Sequence, residues 1–253
     1  MDITPCYQHV NGDFLLGRRR GELSDEERRT IEESVAEVQT LPARKTILRA
    51  GQKPNFSIYL IEGFICRYMD TQSGRRQLVA LQVPGDFVDL HAYPLTYLDH
   101  DNATITPCKV GIVPHTRLAE IERDMPHLSK MLWFSTLIDA AMHREWIFRM
   151  GRLNAASRIA HLFAETEYRL ALVDRVRETG FQLPLTQADL AEAVGITPIH
   201  ANRSLRALRN SGIVHFGNGH VQILDRPRLW NLAEFDPAYL FTDGTKAREL
   251  HPA

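Results

Sequence analysis

The sequence predicts an α+β chain: an antiparallel β-roll in the N-terminal half, one long helix, and a C-terminal winged helix-turn-helix. Three observations predict it. Gly51, Gly63, Gly74 and Gly85 punctuate short β-rich runs (SIYLI, FICRYM, QLVALQV) at nearly even spacing, the pattern of an antiparallel roll or barrel. From Met125 to Met150 no Gly, and no Pro after Pro126, interrupts a run that is apolar around most of a helical circumference. From Leu183 to Asp225 two short helical patterns joined by a tight turn lead into a β-hairpin. The implied organisation is an N-terminal helix and roll over 1–124, a long helix over 125–150, the winged unit over 151–225 and an extension over 226–253.

Taken in order, Ser24 with Glu27 forms a capping box that opens a helix through about Val38. The β-rich runs follow, from Leu41 to Val113. In the long helix Leu132, Trp133, Leu137, Trp146 and Ile147 add apolar groups in several directions, and a small roll can cover one side alone. Met131, Phe134, Ile138 and Ala141, with Met142 beside them, follow a 3-4-3 spacing suited to a coiled-coil seam. The expectation is a homodimer through these residues; the alternative is burial within one chain. Asn154 to Val173 is the next helix, with Ile159, Leu162 and Phe163 packing on the winged unit, and Gly151-Arg152-Leu153 before it is a candidate hinge. The stretch after Arg226 is polar, broken by Pro and Gly, and predicts nothing definite.

The winged unit is the most legible part. Thr186 caps a helix with Asp189 at the reciprocal position, Leu190, Ala191 and Val194 form its apolar face, and Gly195 suits the left-handed turn that follows. Ile196 plugs the gap between helices. Thr197 caps the second helix, Pro198 suits its first turn, and Ala201, Leu205 and Leu208 keep the buried spacing. The outward face then carries Ile199, His200, Asn202, Arg203, Arg206 and Arg209, with no acid between Thr197 and Asn210. Arginine pairs with guanine O6 and N7, asparagine with adenine, and isoleucine touches a thymine methyl. Arginines further along the helix suit phosphates. The DNA-contacting set read from the sequence is Thr186, Gln187, Thr197, Pro198, Ile199, His200, Asn202, Arg203 and Arg206. Ile213–Phe216 and His220–Leu224 flank Gly217-Asn218-Gly219 as the wing.

Composition is compatible with a duplex-DNA partner. The 253 residues allow two domains, and a formal net charge of −1 leaves a basic patch that must be local. No apolar run approaches a membrane span, and the first ten residues lack a signal-sequence pattern, so a soluble, cytoplasmic protein with no membrane partner is expected. Three cysteines, Cys6, Cys66 and Cys108, are too few and too scattered for a disulfide framework or clustered metal site. Cys66 and Cys108 read as small buried hydrophobes.

These residues carry a resemblance. Leu185, Thr186, Leu190, Ala191, Gly195, Thr197 and Arg203 fall on the L-T-x-x-x-L-A-x-x-x-G-x-[ST]-x-E-x-x-x-R pattern, with Ile199 at the glutamate's place. The segment thereby resembles the DNA-binding domain of the Crp/Fnr family of transcription regulators. Gly51, Tyr59, Leu60, Gly63, Gly74, Pro84, Gly85, Asp86 and Phe87 likewise resemble that family's sensor, a cyclic-nucleotide-binding-like roll. The resemblance implies a homodimer that reads an inverted repeat and can contact RNA polymerase. Without the glutamate, selection for the cytosine that a carboxylate reads is expected to weaken.

The resemblance also bears on cofactors. Where family members that bind a cyclic nucleotide carry an arginine followed by Ser or Thr, this chain reads Leu98-Asp99-His100-Asp101-Asn102-Ala103-Thr104, with no arginine between Arg76 and Arg117. Two carboxylates would repel a cyclic phosphate, so cyclic AMP is not expected. An iron–sulfur sensor needs several clustered thiolates, and Cys6 stands alone near the N-terminus. Haem-binding relatives use an axial histidine, for which His91, His100 and His115 are the options, although isolated histidines are more often structural. The reading is therefore no cofactor and an effector not identified. The competing class is a cupin-like metal enzyme that brings His91 and His100 together with Asp89 or Asp99; the absence of any His-x-His pair speaks against it. Metal ligands and catalytic residues are accordingly not assigned.

Overall fold

The computed structural model describes residues 12–178 and 180–243. Ser24 accepts the Glu27 N–H at 3.2 Å while the Glu27 carboxylate accepts the Ser24 N–H at 2.8 Å, so the capping box opens α1 (Asp25–Glu33). That helix ends well short of Val38. Val38, Gln39 and Thr40 instead extend as strand β1 (Glu37–Leu41). Strand pairing with a distant segment overrides the helical start here, because a β-branched stretch gains more from a sheet neighbour than from two further helical turns.

The roll continues with β2 (Thr46–Leu48), β3 (Phe56–Glu62), β4 (Ile65–Asp70), β5 (Arg76–Gln82), the one-turn helix α2 (Ala92–Leu95), β6 (Asp101–Thr104) and β7 (Cys108–Pro114). Two antiparallel sheets result, ordered β1-β7-β3 and β2-β6-β4-β5. Leu48, Ile58, Leu60, Ile65, Cys108 and Val110 fill the space between them. Cys66 is buried too, so both described cysteines sit in the core, as expected of small buried hydrophobes.

Beyond the roll, α3 (His115–Asp124) turns at Met125 into α4 (Pro126–Arg152). At 1.5 Å per residue the 27 residues of α4 run about 40 Å. Leu153 is extended, and Asn154 caps α5 (Ala155–Leu172) by accepting the Ser157 N–H at 3.1 Å. Then come β8 (Phe181–Gln182), α6 (Gln187–Val194), α7 (Pro198–Asn210), β9 (Val214–Gly217), β10 (His220–Ile223) and α8 (Arg226–Ala233). Ile159, Leu162 and Phe163 are buried, and the Phe163 ring meets Phe216 of β9 with centroids 5.5 Å apart. The segment after Arg226, which the sequence did not resolve, is structured through Asp243 in part: α8 packs on α5, burying Leu229, Trp230 and Ala233, and a 3-10 turn at Pro237–Leu240 packs on α4. Residues 226–243 thus belong to the body of the protein.

The faces of α4 correct the expected dimer seam. Met131, Ile138, Ala141 and Met142 are buried against the chain's own roll and helices, and half-buried Phe134 meets the Phe241 ring at 6.2 Å and the Arg19 guanidinium at 5.0 Å. The apolar groups left exposed are Trp133, Leu137, Ile147 and Phe148. At about 100° per residue, this stripe's mean direction lies roughly a third of a turn round the helix from the predicted one. With half-buried Ala140 and exposed Arg144, residues 133, 137, 140, 144 and 147 follow a 4-3-4-3 spacing.

Where α4 meets α5, charge is buried. Arg149, His161 and Glu165 are fully enclosed, and Arg169 nearly so. Glu165 accepts from the Trp146 indole at 3.1 Å and the Tyr239 hydroxyl at 2.7 Å, and lies 3.6 Å from Arg169. Arg169 reaches into the roll, pairing with Asp86 at 2.5 Å and donating to the Leu81 carbonyl at 2.9 Å. Burial alone would raise the Glu165 pKa, but Arg149 and Arg169 more than offset it and hold the carboxyl below its ordinary 4.5. Burial also lowers the Arg149 guanidinium, which stacks over Trp146 with its carbon 4.0 Å from the ring centroid.

Candidate nucleic-acid interface

The interface is built by capping chemistry. Thr186 accepts the Asp189 N–H at 3.1 Å and donates its own N–H to the Asp189 carboxylate at 2.7 Å, fixing the start of α6. Gly195 ends α6 at φ 66°, the left-handed conformation in which a side chain would be strained, and Ile196 follows half-buried between the helices. Thr197 then accepts the His200 N–H at 3.3 Å, with Pro198 in the first turn of α7. Ala201 and Leu208 hold α7 to the body.

The opposite face of α7 is open. Thr197, Pro198, Ile199, His200, Asn202, Arg203, Arg206 and Arg209 are all exposed, and Ile199 stands out to 73 % of its full accessibility. Thr186 and Gln187 are exposed at the start of α6, and Gln187 accepts from the Asn202 side-chain amide at 3.2 Å, which ties the two helices together at this surface. The wing is tighter than the sequence implied: Gly217 already pairs with His220, so Asn218 and Gly219, both at positive φ, form a two-residue turn. β8 adds a third strand beside β10.

The helix-turn-helix is clasped to the roll by contacts that sequence reasoning missed. Arg44, at the turn before β2, pairs with Asp189 at 2.7 Å, and the Gln77 amide on β5 donates to the Glu192 carbonyl. Burial would raise the Asp189 pKa, but the Arg44 guanidinium and the Thr186 N–H and hydroxyl outweigh it and keep the carboxyl below its ordinary 3.8. No local pattern could reveal partners separated by 145 residues.

The remaining residues of interest divide. His115 lies 3.2 Å from the Ser57 hydroxyl, away from the other two histidines, and Asp89 is buried with one oxygen accepting the Ile58 N–H at 2.7 Å. His91, Asp99 and His100 do converge. Burial pushes the Cys66 thiol up to about 12 and raises Cys108 as well, so neither is a poised thiolate; Cys6 lies outside the described residues.

A Crp-like helix-turn-helix domain model matches residues 157–232. The transcriptional activator protein FnrL of Cereibacter sphaeroides is 28% identical over 233 residues, 89% of this chain and 92% of that protein. The nitrogen fixation regulation protein FixK of Bradyrhizobium diazoefficiens is 25% identical across 69% of this chain and 72% of its own length. The structure of FixK2 from Bradyrhizobium japonicum shares the fold with a TM-score of 0.72 at 23% identity, covering 78% of this chain and 97% of that one.

The chain carries a Crp-like helix-turn-helix domain and is similar over most of its length to transcriptional regulators of the Crp/Fnr type. The match from Ser157 to Leu232 takes in nearly all of α5 and of α8, the same elements that pack around the helix-turn-helix. Within this Crp-like domain the Ile199 departure is fully on display, since a bulky apolar side chain stands where the pattern has a carboxylate. Regulators account for these relatives, and none supports the cupin-like enzyme alternative. No helix among the described residues is long and apolar enough to cross a membrane.

Proposed function

We propose that this regulator binds duplex DNA as a homodimer and reads an inverted repeat. The observation that carries the reading is the outer face of α7, which is exposed, acid-free and basic, and set at a fixed angle by the Gly195 turn. Arg203, Asn202 and Ile199 address base edges, while Thr186, Gln187, Thr197, Pro198, His200 and Arg206 flank them along the backbone. Ile199 favours a thymine methyl over the cytosine that a carboxylate would select.

Pairing runs along the exposed Trp133, Leu137, Ile147 and Phe148 stripe of α4, and a two-fold axis there sets two recognition helices one DNA turn, about 34 Å, apart. RNA polymerase is a further partner of the DNA-bound dimer. The roll works without a cyclic nucleotide. In support, the cavity lined by Arg67, Gln82 and Asp86 of the roll and Asp139 of α4 measures about 40 Å³, against the roughly 300 Å³ or more of typical ligand pockets, and the larger groove of about 360 Å³ between α2 and α4 is lined by no arginine or lysine to hold a phosphate. Of the two arginines that line the smaller cavity, Arg67 is committed to Asp139 at 2.5 Å and to the Val88 carbonyl, and Arg18 donates to the Leu240 carbonyl at 3.2 Å. No cofactor is needed for this reading, and haem has no support in the arrangement of His115.

Selection from a random duplex pool tests it. The expected product is an inverted repeat, and Arg203→Ala should cost about 1–3 kcal/mol, or roughly 5- to 150-fold, and relax preference at one position of each half-site. Unchanged affinity and preference in that variant would remove α7 as the reading element.

A further inference from the structure

The chain between α2 and β6 is held in a fixed fold-back. Thr96 ends α2 in the left-handed region, the Leu98 carbonyl accepts the Gly51 N–H at 2.7 Å, and the Asp101 carboxylate accepts the Ala50 N–H at 2.7 Å. This fold-back sets Asp99 and His100 opposite His91, which precedes α2. The two imidazole rings lie 5.2 Å apart at 38°, and Asp99 Oδ1 sits 2.7 Å from His100 Nδ1. One donor atom from each of the three residues falls within 4.8 Å of the others. Both histidines also keep a buried Nε2 with no hydrogen-bonding partner, and His100 is only 7 % exposed. An imidazole nitrogen buried without a partner is a costly arrangement unless something else occupies its lone pair.

We propose that His91, His100 and Asp99 form a binding site for a divalent first-row transition metal ion. Two imidazoles and a carboxylate are the donor set for zinc, iron(II), cobalt or nickel, whereas calcium and magnesium favour oxygen alone. Bond lengths of about 2.0–2.2 Å require the donors to close to roughly 3.3 Å of one another, which small side-chain rotations supply. Asp99 either ligates the ion directly or orients His100 through Nδ1, the usual partnership of a metal-bound histidine with a carboxylate. The nearby Arg67 guanidinium opposes a cation, but its pairing with Asp139 offsets that charge and leaves Asp99 as the net negative group. Three protein ligands leave coordination positions for water or a small molecule.

The site lies against the long helix. His91 lines the small cavity shared with Asp139 and also an apolar groove that includes Trp133 and Leu137 of the exposed α4 stripe. Occupancy would therefore be felt where α4 pairs with its partner, making the ion an input to the regulator. This second step rests on the proposed DNA-binding reading; the metal site itself does not.

The test uses the full chain, free of any affinity tag and stripped with chelator, titrated with Co²⁺ and followed by visible absorption and tryptophan fluorescence. One saturable ion per chain is expected, with quenching from Trp133. His91→Ala should abolish the saturable phase, and Asp99→Asn should weaken it by at least about 10- to 100-fold, both with unchanged far-ultraviolet circular dichroism. Neither side chain is deeply buried, so neither variant depends on His100 surviving replacement. The absence of a saturable phase, or an unchanged one in both variants, would overturn the site, since the chain has 11 histidines to bind cobalt loosely. Intact cobalt binding that leaves affinity for the selected duplex unaltered would overturn the input role. Intact cobalt binding in a chain that selects no duplex, with and without the ion, would strike the DNA-binding reading instead.

Discussion

Replacing Glu165 with alanine should unfold this protein at a markedly lower temperature. The carboxylate accepts from Trp146 and Tyr239 and faces two guanidinium groups, Arg149 and Arg169, in a region closed to water. Its removal leaves an indole N–H and a phenol O–H without their acceptor, and leaves Arg149, whose Nε and Nη2 already lack partners, as a buried charge with little compensation. Breaking a buried pair from one side costs about 3–5 kcal/mol. For a chain of this size each kcal/mol lowers Tm by about 2–4 °C, so a drop of roughly 6–20 °C is expected by calorimetry. The sign of the pH dependence follows from the depressed carboxyl: the network contributes fully above the ordinary value of 4.5 and loses its contribution as pH falls through the lower folded-state value. Glu165→Ala should therefore show a flatter acid limb than the parent, while Glu165→Gln, which keeps the acceptor oxygen, falls between. An exposed pair such as Asp25 with Arg28 serves as the control, with Asp25→Ala leaving Tm essentially unchanged. A Glu165→Ala Tm within about 2 °C of the parent would refute the reasoning, because the network would then be electrostatically idle.

Two further outcomes are expected. Leu137 is 58% exposed in the single chain, so its full burial in a dimer contributes about 1–2 kcal/mol per copy; Leu137→Glu should weaken dimerisation by at least roughly 30- to 700-fold in sedimentation equilibrium, whereas Met131→Ala should lower Tm and leave the dimer constant alone. The reverse pattern would restore the seam read from the sequence. Arg44→Ala should speed amide exchange at the start of α6 at neutral pH, and the parent should show the same loosening only as pH falls below 3.8, where protonation of Asp189 removes its half of the clasp. With Arg44 nearly half exposed the change in global stability should stay below about 1 kcal/mol. Equal protection factors in both proteins would show that the ion pair does not hold the domains.

Legibility in the sequence tracked the range of the interaction. The caps at Ser24, Thr186 and Thr197 each involve residues three apart, and each is present as the sequence implies. The punctuating glycines gave the roll, and the exposed face of α7 emerged with the side chains expected. Errors arose where a segment's neighbours lie far along the chain. α1 stops at Glu33 because β1 finds β7 some seventy residues away, about which a capping box is silent. α8 was invisible because its short apolar set, Leu229, Trp230 and Ala233, acquires meaning only against α5.

The long helix shows the same limit in its sharpest form. A helix that is apolar nearly all round contains more than one heptad-like stripe, and spacing cannot say which one the chain keeps for itself. Here Met131, Ile138 and Met142 turn inward and Trp133, Leu137 and Ile147 outward. That assignment decides how a signal could travel. The inner stripe binds α4 to the roll, and Arg169 of α5 grips the roll at Asp86, so α5 is tied both to the roll and, through the buried Trp146–Glu165 bond, to α4. The helix-turn-helix packs on α5 through buried apolar residues and touches the roll through the more exposed Arg44–Asp189 pair and the Gln77 contact. Exposed ion pairs are weak and buried ones are costly to break. Of the contacts between the helix-turn-helix and the roll, the clasp on α6 is therefore the weaker to hold, whereas a rotation about the candidate hinge Gly151-Arg152-Leu153 would also have to break the buried Arg169–Asp86 pair and the Trp146–Glu165 bond.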